Sequence, residues 1–153
     1  MPGARLDKMG EWVRRMGEAS AQPIGDLLSI QTDCRDPERL AAFWGAVLGV
    51  GEDFRLGDPL HYIDLLPTAP GRPALCFQRV PEPKVVKNRL HFDLIVDDLD
   101  TATGRVESLG GKRVPNGDHH EYSYTWRIMA DPEGNEFCLI QKSEAGEMDG
   151  HQA

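Results

Sequence analysis

The sequence predicts an α+β fold built from a duplicated βαβββ unit. One observation is a strand signal followed by a helix signal, "DLLSIQTDC" then "DPERLAAFWGAVLG". A second is the return of the same order in "RLHFDLIVDD" then "LDTATGRVESLGG". The offset is about 62 residues, the spacing of a repeated supersecondary unit. At that offset Asp36 falls on Asp98, Ser29 on His91 and Cys76 on Cys138. The third observation is that further strand signals follow each helix. A βαβββ unit leaves one sheet face uncovered, and a second copy supplies the other wall.

Taken in order, residues 1–23 stand apart. Leu6, Met9, Val13 and Met16 recur at helical spacing, which predicts a short amphipathic helix, and "SAQP" reads as a linker. The apolar stripe needs a partner, and a second subunit would supply one. Module one then runs over about 24–86. Its helix has Asp36 as N-cap, Pro37 at the first helical position and Gly49 as its stop. Strand signals follow in "EDFRLGD", "LHYIDLLP" and "PALCFQRV". Module two covers about 87–142. Its helix ends at paired glycines, and "KRVPNG", "YSYTWRIMA" and "EFCLIQK" read as strands, with "DPEGN" the turn before the last. Residues 143–153 are polar and read as a flexible tail.

Composition narrows the function classes. The net charge is −8, and no Lys/Arg cluster offers phosphates a footprint, which argues against nucleic acid as a partner. No apolar run approaches the roughly 18 residues needed to span a bilayer, and the start of the chain has no apolar signal-peptide core. Three cysteines, each inside an apolar run, fit buried reduced thiols in a cytoplasmic protein better than a disulfide framework.

Strand alternation then assigns faces. On the first strand Ile30, Thr32 and Cys34 share one side; Ser29, Gln31 and Asp33 share the other. In module two Phe92, Leu94 and Val96 are expected to pack under the helix, which turns His91, Asp93 and Ile95 inward. Both modules therefore present a polar row inside, where a purely structural barrel would carry aliphatic side chains. Polar groups there are costly unless paired or hydrated, so the row points to a wet or ligand-binding pocket. A hydrogen-bonded network of His91, Asp93 and Gln31 with water is the alternative. Gln78, on the last strand of module one, joins the candidate substrate-binding residues. Trp126 and Arg127 alternate: Trp126 inside supplies a stacking wall, Arg127 inside suits an anion, and both remain candidates. His119, His120 and Glu121 read as solvated loop residues at the rim.

The segments "DPERLAAFWGAVLG", "FQRVPEPK", "KNRLHFDLIVDDLD" and "ADPEGNEFC" resemble the glyoxalase-like branch of the vicinal oxygen chelate superfamily, over roughly residues 25–141. The resemblance implies two βαβββ modules whose curved sheets form an open barrel around a pocket. It also implies metal ligands on the first and last strands of each module, which fall here on Ser29, Cys76, His91 and Cys138. The family's usual carboxylates are missing, so no catalytic metal is expected. The remaining metal reading is zinc held by Cys76, His91 and Cys138. Three functions stay in view. The first is a metal-independent enzyme on a small organic molecule, of lyase or isomerase type, with His91 as acid or base and Asp93 as its partner. The second is a drug- or metabolite-sequestering protein of the bleomycin-resistance kind. The third is a metal-dependent lyase, isomerase or dioxygenase. A homodimer is expected in each case.

Overall fold

The computed structural model describes residues 24–121 and 123–142. The expected N-terminal helix and the tail lie outside the described residues. Strand β1 (Ser29–Cys34) leads into α1 (Pro37–Leu48), followed by β2 (Glu52–Leu56), β3 (Tyr62–Leu65) and β4 (Ala74–Arg79). The pattern restarts with β5 (Asp93–Ile95), α2 (Leu99–Ser108), β6 (Lys112–Glu121), β7 (Tyr124–Ala130) and β8 (Glu136–Lys142). Each module makes one four-stranded mixed sheet, ordered β1-β4-β3-β2 and β5-β8-β7-β6. The first strand of each lies parallel to the last: Gln31 pairs with Cys76, and Asp93 with Cys138. No helix among the described residues is long and apolar enough to cross a membrane.

The helix ends form for the reasons visible in the chain. Asp36 accepts a hydrogen bond from the Arg39 amide, Pro37 sits where no intrahelical N–H is required, and Gly49 closes α1 at φ 68°. Asp98 caps α2 in the same way through the Thr101 amide. Two differences from the sequence reading concern strands. β5 is short, although the Cys138 amide still donates to the Phe92 carbonyl at 2.8 Å and extends the pairing. β6 is long, because "PNG" does not end it. Asn116 takes φ 56° and the register slips between Arg113 and Asp118, so the turn-forming residues make a bulge within the strand. Gly117 suits that bulge, since a Cβ there would stand 3.1 Å from the Ile128 Cβ.

The helix-facing sides of both sheets share one core. Phe77 and Ile63 from module one and Phe137 and Met129 from module two are fully buried in it. Helix α1 joins the two. Trp44 packs edge-on against Phe92 and Phe137, with ring centroids 5.3 and 4.9 Å away. Its indole N–H donates to Asp131 at 3.2 Å. Asp131 also accepts from the amides of Glu133 and Asn135, which builds the "DPEGN" turn. The Glu133 carboxylate reaches across to accept from the amides of Arg35 and Asp36 at 2.9 and 2.7 Å. Among the described residues, nothing covers the opposite face of each sheet.

Candidate functional site

The open face of the second sheet forms a cup of about 450 Å³. Its lining comes from three strands and the residues leading into β5: His91, Asp93, Tyr124, Trp126, Cys138 and Ile140, with Glu121 at the end of β6. Alternation explains the set. Leu94 and Phe92 point to the core, so His91 and Asp93 point out of it. On β8, Phe137 and Leu139 are core residues, so Cys138 and Ile140 face the cup.

His91 and Asp93 lean together as adjacent members of one row. His91 Nε2 lies 3.4 Å from Asp93 Oδ1, and their side chains are 52% and 53% exposed. That separation allows charge attraction and is longer than a well-formed hydrogen bond. Cys138 lies beneath them. It is 8% exposed yet stands outside the apolar core cluster. Burial, then the neighbouring Asp93, pushes its thiol up to about 11. It is therefore a neutral thiol near pH 7 and a poor nucleophile.

The counterpart face on the first sheet holds Ser29, Gln31, Asp33 and Gln78. None of them lines the cup. Cys76 sits there with Asp64 and Ser29 as hydrogen-bonding neighbours, and burial followed by Asp64 raises its thiol to about 11. The alternative zinc set of Cys76, His91 and Cys138 is not assembled, because Cys76 is on the other sheet. Among the described residues, the His/Cys/Asp/Glu group close enough to share an ion is His91, Asp93 and Cys138, with donor atoms within 4.8 Å of one another. Imidazole, carboxylate and thiolate together suit a borderline ion such as zinc, and suit hard oxygen-seeking ions poorly.

Trp126 and Arg127 separate as alternation requires. Trp126 faces the cup, and the His119 ring stacks on it at 5.4 Å. Arg127 faces α2 and is 8% exposed. Its guanidinium grips Asp118 through Nε and Nη2 at 2.9 and 3.1 Å, and reaches Asp100 and Thr103 through Nη1 at 2.9 and 2.8 Å. This corrects its candidacy as a substrate-binding residue: the side chain is turned away from the cup and its donors are engaged. The expectation of a solvated loop at 119–121 is also corrected. These residues belong to β6, where His119 pairs with Trp126 and Glu121 with Tyr124. Tyr124, Ile140 and Glu121 were missing from the sequence-based site; once the bulge is known, alternation from Trp126 and Cys138 locates all three.

Two mixed four-stranded sheets of βαβββ connectivity, each with an open polar face, define a vicinal-oxygen-chelate-type fold. The sequence profile of the glyoxalase-like domain matches residues 29–140, and the chain belongs to that family. No curated protein matches it. Solved structures share the fold at low identity. A glyoxalase/bleomycin resistance protein/dioxygenase family enzyme from Burkholderia phytofirmans PsJN is 18% identical with a TM-score of 0.61, covering 77% of this chain and 99% of that one. The fosfomycin resistance protein FosX from Listeria monocytogenes is 16% identical with a TM-score of 0.61, covering 79% and 96%. TioX from Micromonospora sp. ML1 is 19% identical with a TM-score of 0.52, covering 77% and 99%.

Proposed function

We propose that the chain is a small-molecule enzyme of lyase or isomerase type, working in the second-sheet cup with His91 as acid or base and Asp93 as its partner. The observation that carries this is the His91–Asp93 pair, 3.4 Å apart and accessible, beside an aromatic wall. In the tautomer with a proton on Nε2, that proton lies toward Asp93 and Nδ1 is free to accept one. The fully open faces of both sheets also favour a homodimer, in which a second copy covers the cup. Buried free thiols suit a reducing cytoplasm.

A second reading has its own observation, the gathering of His91, Asp93 and Cys138. These residues would hold a zinc-like ion, which would supply Lewis acidity there, and Cys138 would have to lose its proton. A FosX from Listeria monocytogenes has been seen with Mn(II) and 1S,2S-dihydroxypropylphosphonic acid. Among the described residues that line this cup there is no Lys or Arg to pair with a phosphonate.

The test is turnover of a panel of small carbonyl compounds and epoxides by native protein and by His91→Ala, with elemental analysis of the same preparations. Turnover lost in His91→Ala, without bound metal, supports the first reading. About one zinc per chain, lost in Cys138→Ser, replaces it with the second. Compounds that bind without turnover leave a sequestering protein.

A further inference from the structure

We propose that the cup selects planar ring systems that carry a positive charge. The inference rests on the reading of the cup as an organic-ligand site and names the ligand class that site takes.

The first ground is shape. Trp126 and Tyr124 provide the aromatic surface, and His119 stacked on Trp126 holds the indole from the strand edge. Ile140 continues the apolar wall. A cavity of about 450 Å³ with such a floor accepts a flat fused ring by stacking.

The second ground is charge. Asp93 and Glu121 line the cup, and among the described residues no Lys or Arg does. Arg127, on the neighbouring position of the same strand, is removed to the opposite face and held by Asp118 and Asp100. Lys84 is paired with Glu136 at 3.2 Å, so that lysine brings no net charge. Lys87 acts on Cys138 from the loop before β5, and Lys142 stands at the end of β8; neither lines the cup. The first sheet repeats the pattern, with Asp33 and Asp64 on its open face. The chain's net charge of −8 extends the same field. A cationic ring gains from the carboxylates and from the indole face together. An anionic ring of the same shape meets repulsion that stacking must offset.

Calorimetric titration of the full-length, chelator-treated protein with three rings of one shape tests this: 9-aminoacridine as the cation, acridine as the neutral ring and acridine-9-carboxylate as the anion. The cation is expected to bind about tenfold more tightly than the anion at low salt, with the neutral ring between them. High salt, or the double variant Asp93→Asn/Glu121→Gln, should narrow that ratio to below about threefold. Trp126→Ala should weaken all three rings. An anion that binds as well as the cation overturns the charge inference while leaving the cup an organic site. Failure of all three rings to bind overturns the ligand class, and His91-dependent turnover of the electrophile panel still judges the broader reading. Binding unaffected by Trp126→Ala places the ligand elsewhere and overturns the inference.

Discussion

Arg127→Met separates architecture from ligand binding. Methionine keeps most of the unbranched stem in place and removes the guanidinium, so the variant reads the polar contacts alone. The bond to Asp100 adds little, because that carboxylate is 88% exposed. The two-point grip on Asp118, whose side chain is 41% exposed, contributes about 1 kcal/mol. Thr103 is 7% exposed and loses the donor onto its hydroxyl. That hydroxyl still donates to the Leu99 carbonyl at 2.6 Å, so it is not orphaned, and about 1 kcal/mol is again the appropriate scale. The sum is about 2 kcal/mol. The pairing also holds the Asp118 carboxyl below its ordinary range. Its contribution is present above the unfolded carboxylate pKa and is lost as pH falls through the depressed folded value. Urea denaturation at neutral and acid pH measures both effects: the variant should lose stability at neutral pH, and the gap from native protein should close on acidification. A stability change below about 0.5 kcal/mol, or ligand binding lost from a fully stable variant, would refute the placement of Arg127 as a structural tie.

Three other perturbations have clear outcomes. His91→Ala should cost less than about 1.5 kcal/mol because the side chain is 52% exposed, while removing turnover or ligand response; a loss of about 3 kcal/mol or more in urea denaturation would make it a structural residue. Gly111→Ala should destabilise by about 1–3 kcal/mol in the same assay. A Cβ there meets Val106 Cγ1 at 2.6 Å and the Ala130 carbonyl oxygen at 3.1 Å, and the backbone atom cannot step aside; an unchanged midpoint would contradict that packing. The thiols of Cys34, Cys76 and Cys138 are raised by burial to about 12, 11 and 11, so the native protein should alkylate slowly near neutral pH. Their contribution to stability is whole below the unfolded thiol pKa and disappears as pH rises through the folded values. Rapid native-state alkylation at pH 7 would count against it.

Much of the fold could be read directly. Caps at Asp36 and Asp98 and the stop at Gly49 are local chemistry, and local chemistry survives folding. Alternation alone put His91 and Asp93 on the face opposite Phe92 and Leu94, whereas Ile95, expected inside with them, is 61% exposed and does not line the cup. The limits came from longer-range effects. Pro115, Asn116 and Gly117 carry turn chemistry, yet pairing with β7 turned them into a bulge, and that moved His119 and Glu121 from loop to strand, with Glu121 at the cup and His119 stacked on Trp126. The face taken by Arg127 depended on Asp118, nine positions earlier and its cross-strand partner on β6. Cys76 and Cys138 match at the repeat offset, but an offset reports equivalence between modules and not proximity, so the two thiols lie on different sheets.

The hydrogen bonds that the Arg35 and Asp36 amides donate to the Glu133 carboxylate place the start of one repeat's helix in the hands of the other repeat's turn. Trp44 does the reverse, leaving its own module to rest on Phe92, Phe137 and Asp131. Each half thus carries a piece of its neighbour's interior. A chain cut in the connection before Asn88 would give two fragments with exposed aromatic surfaces and unmet polar groups. Although the architecture has the symmetry of a duplication, these crossed contacts make its halves non-interchangeable, and a single unfolding transition is the expected result in calorimetry.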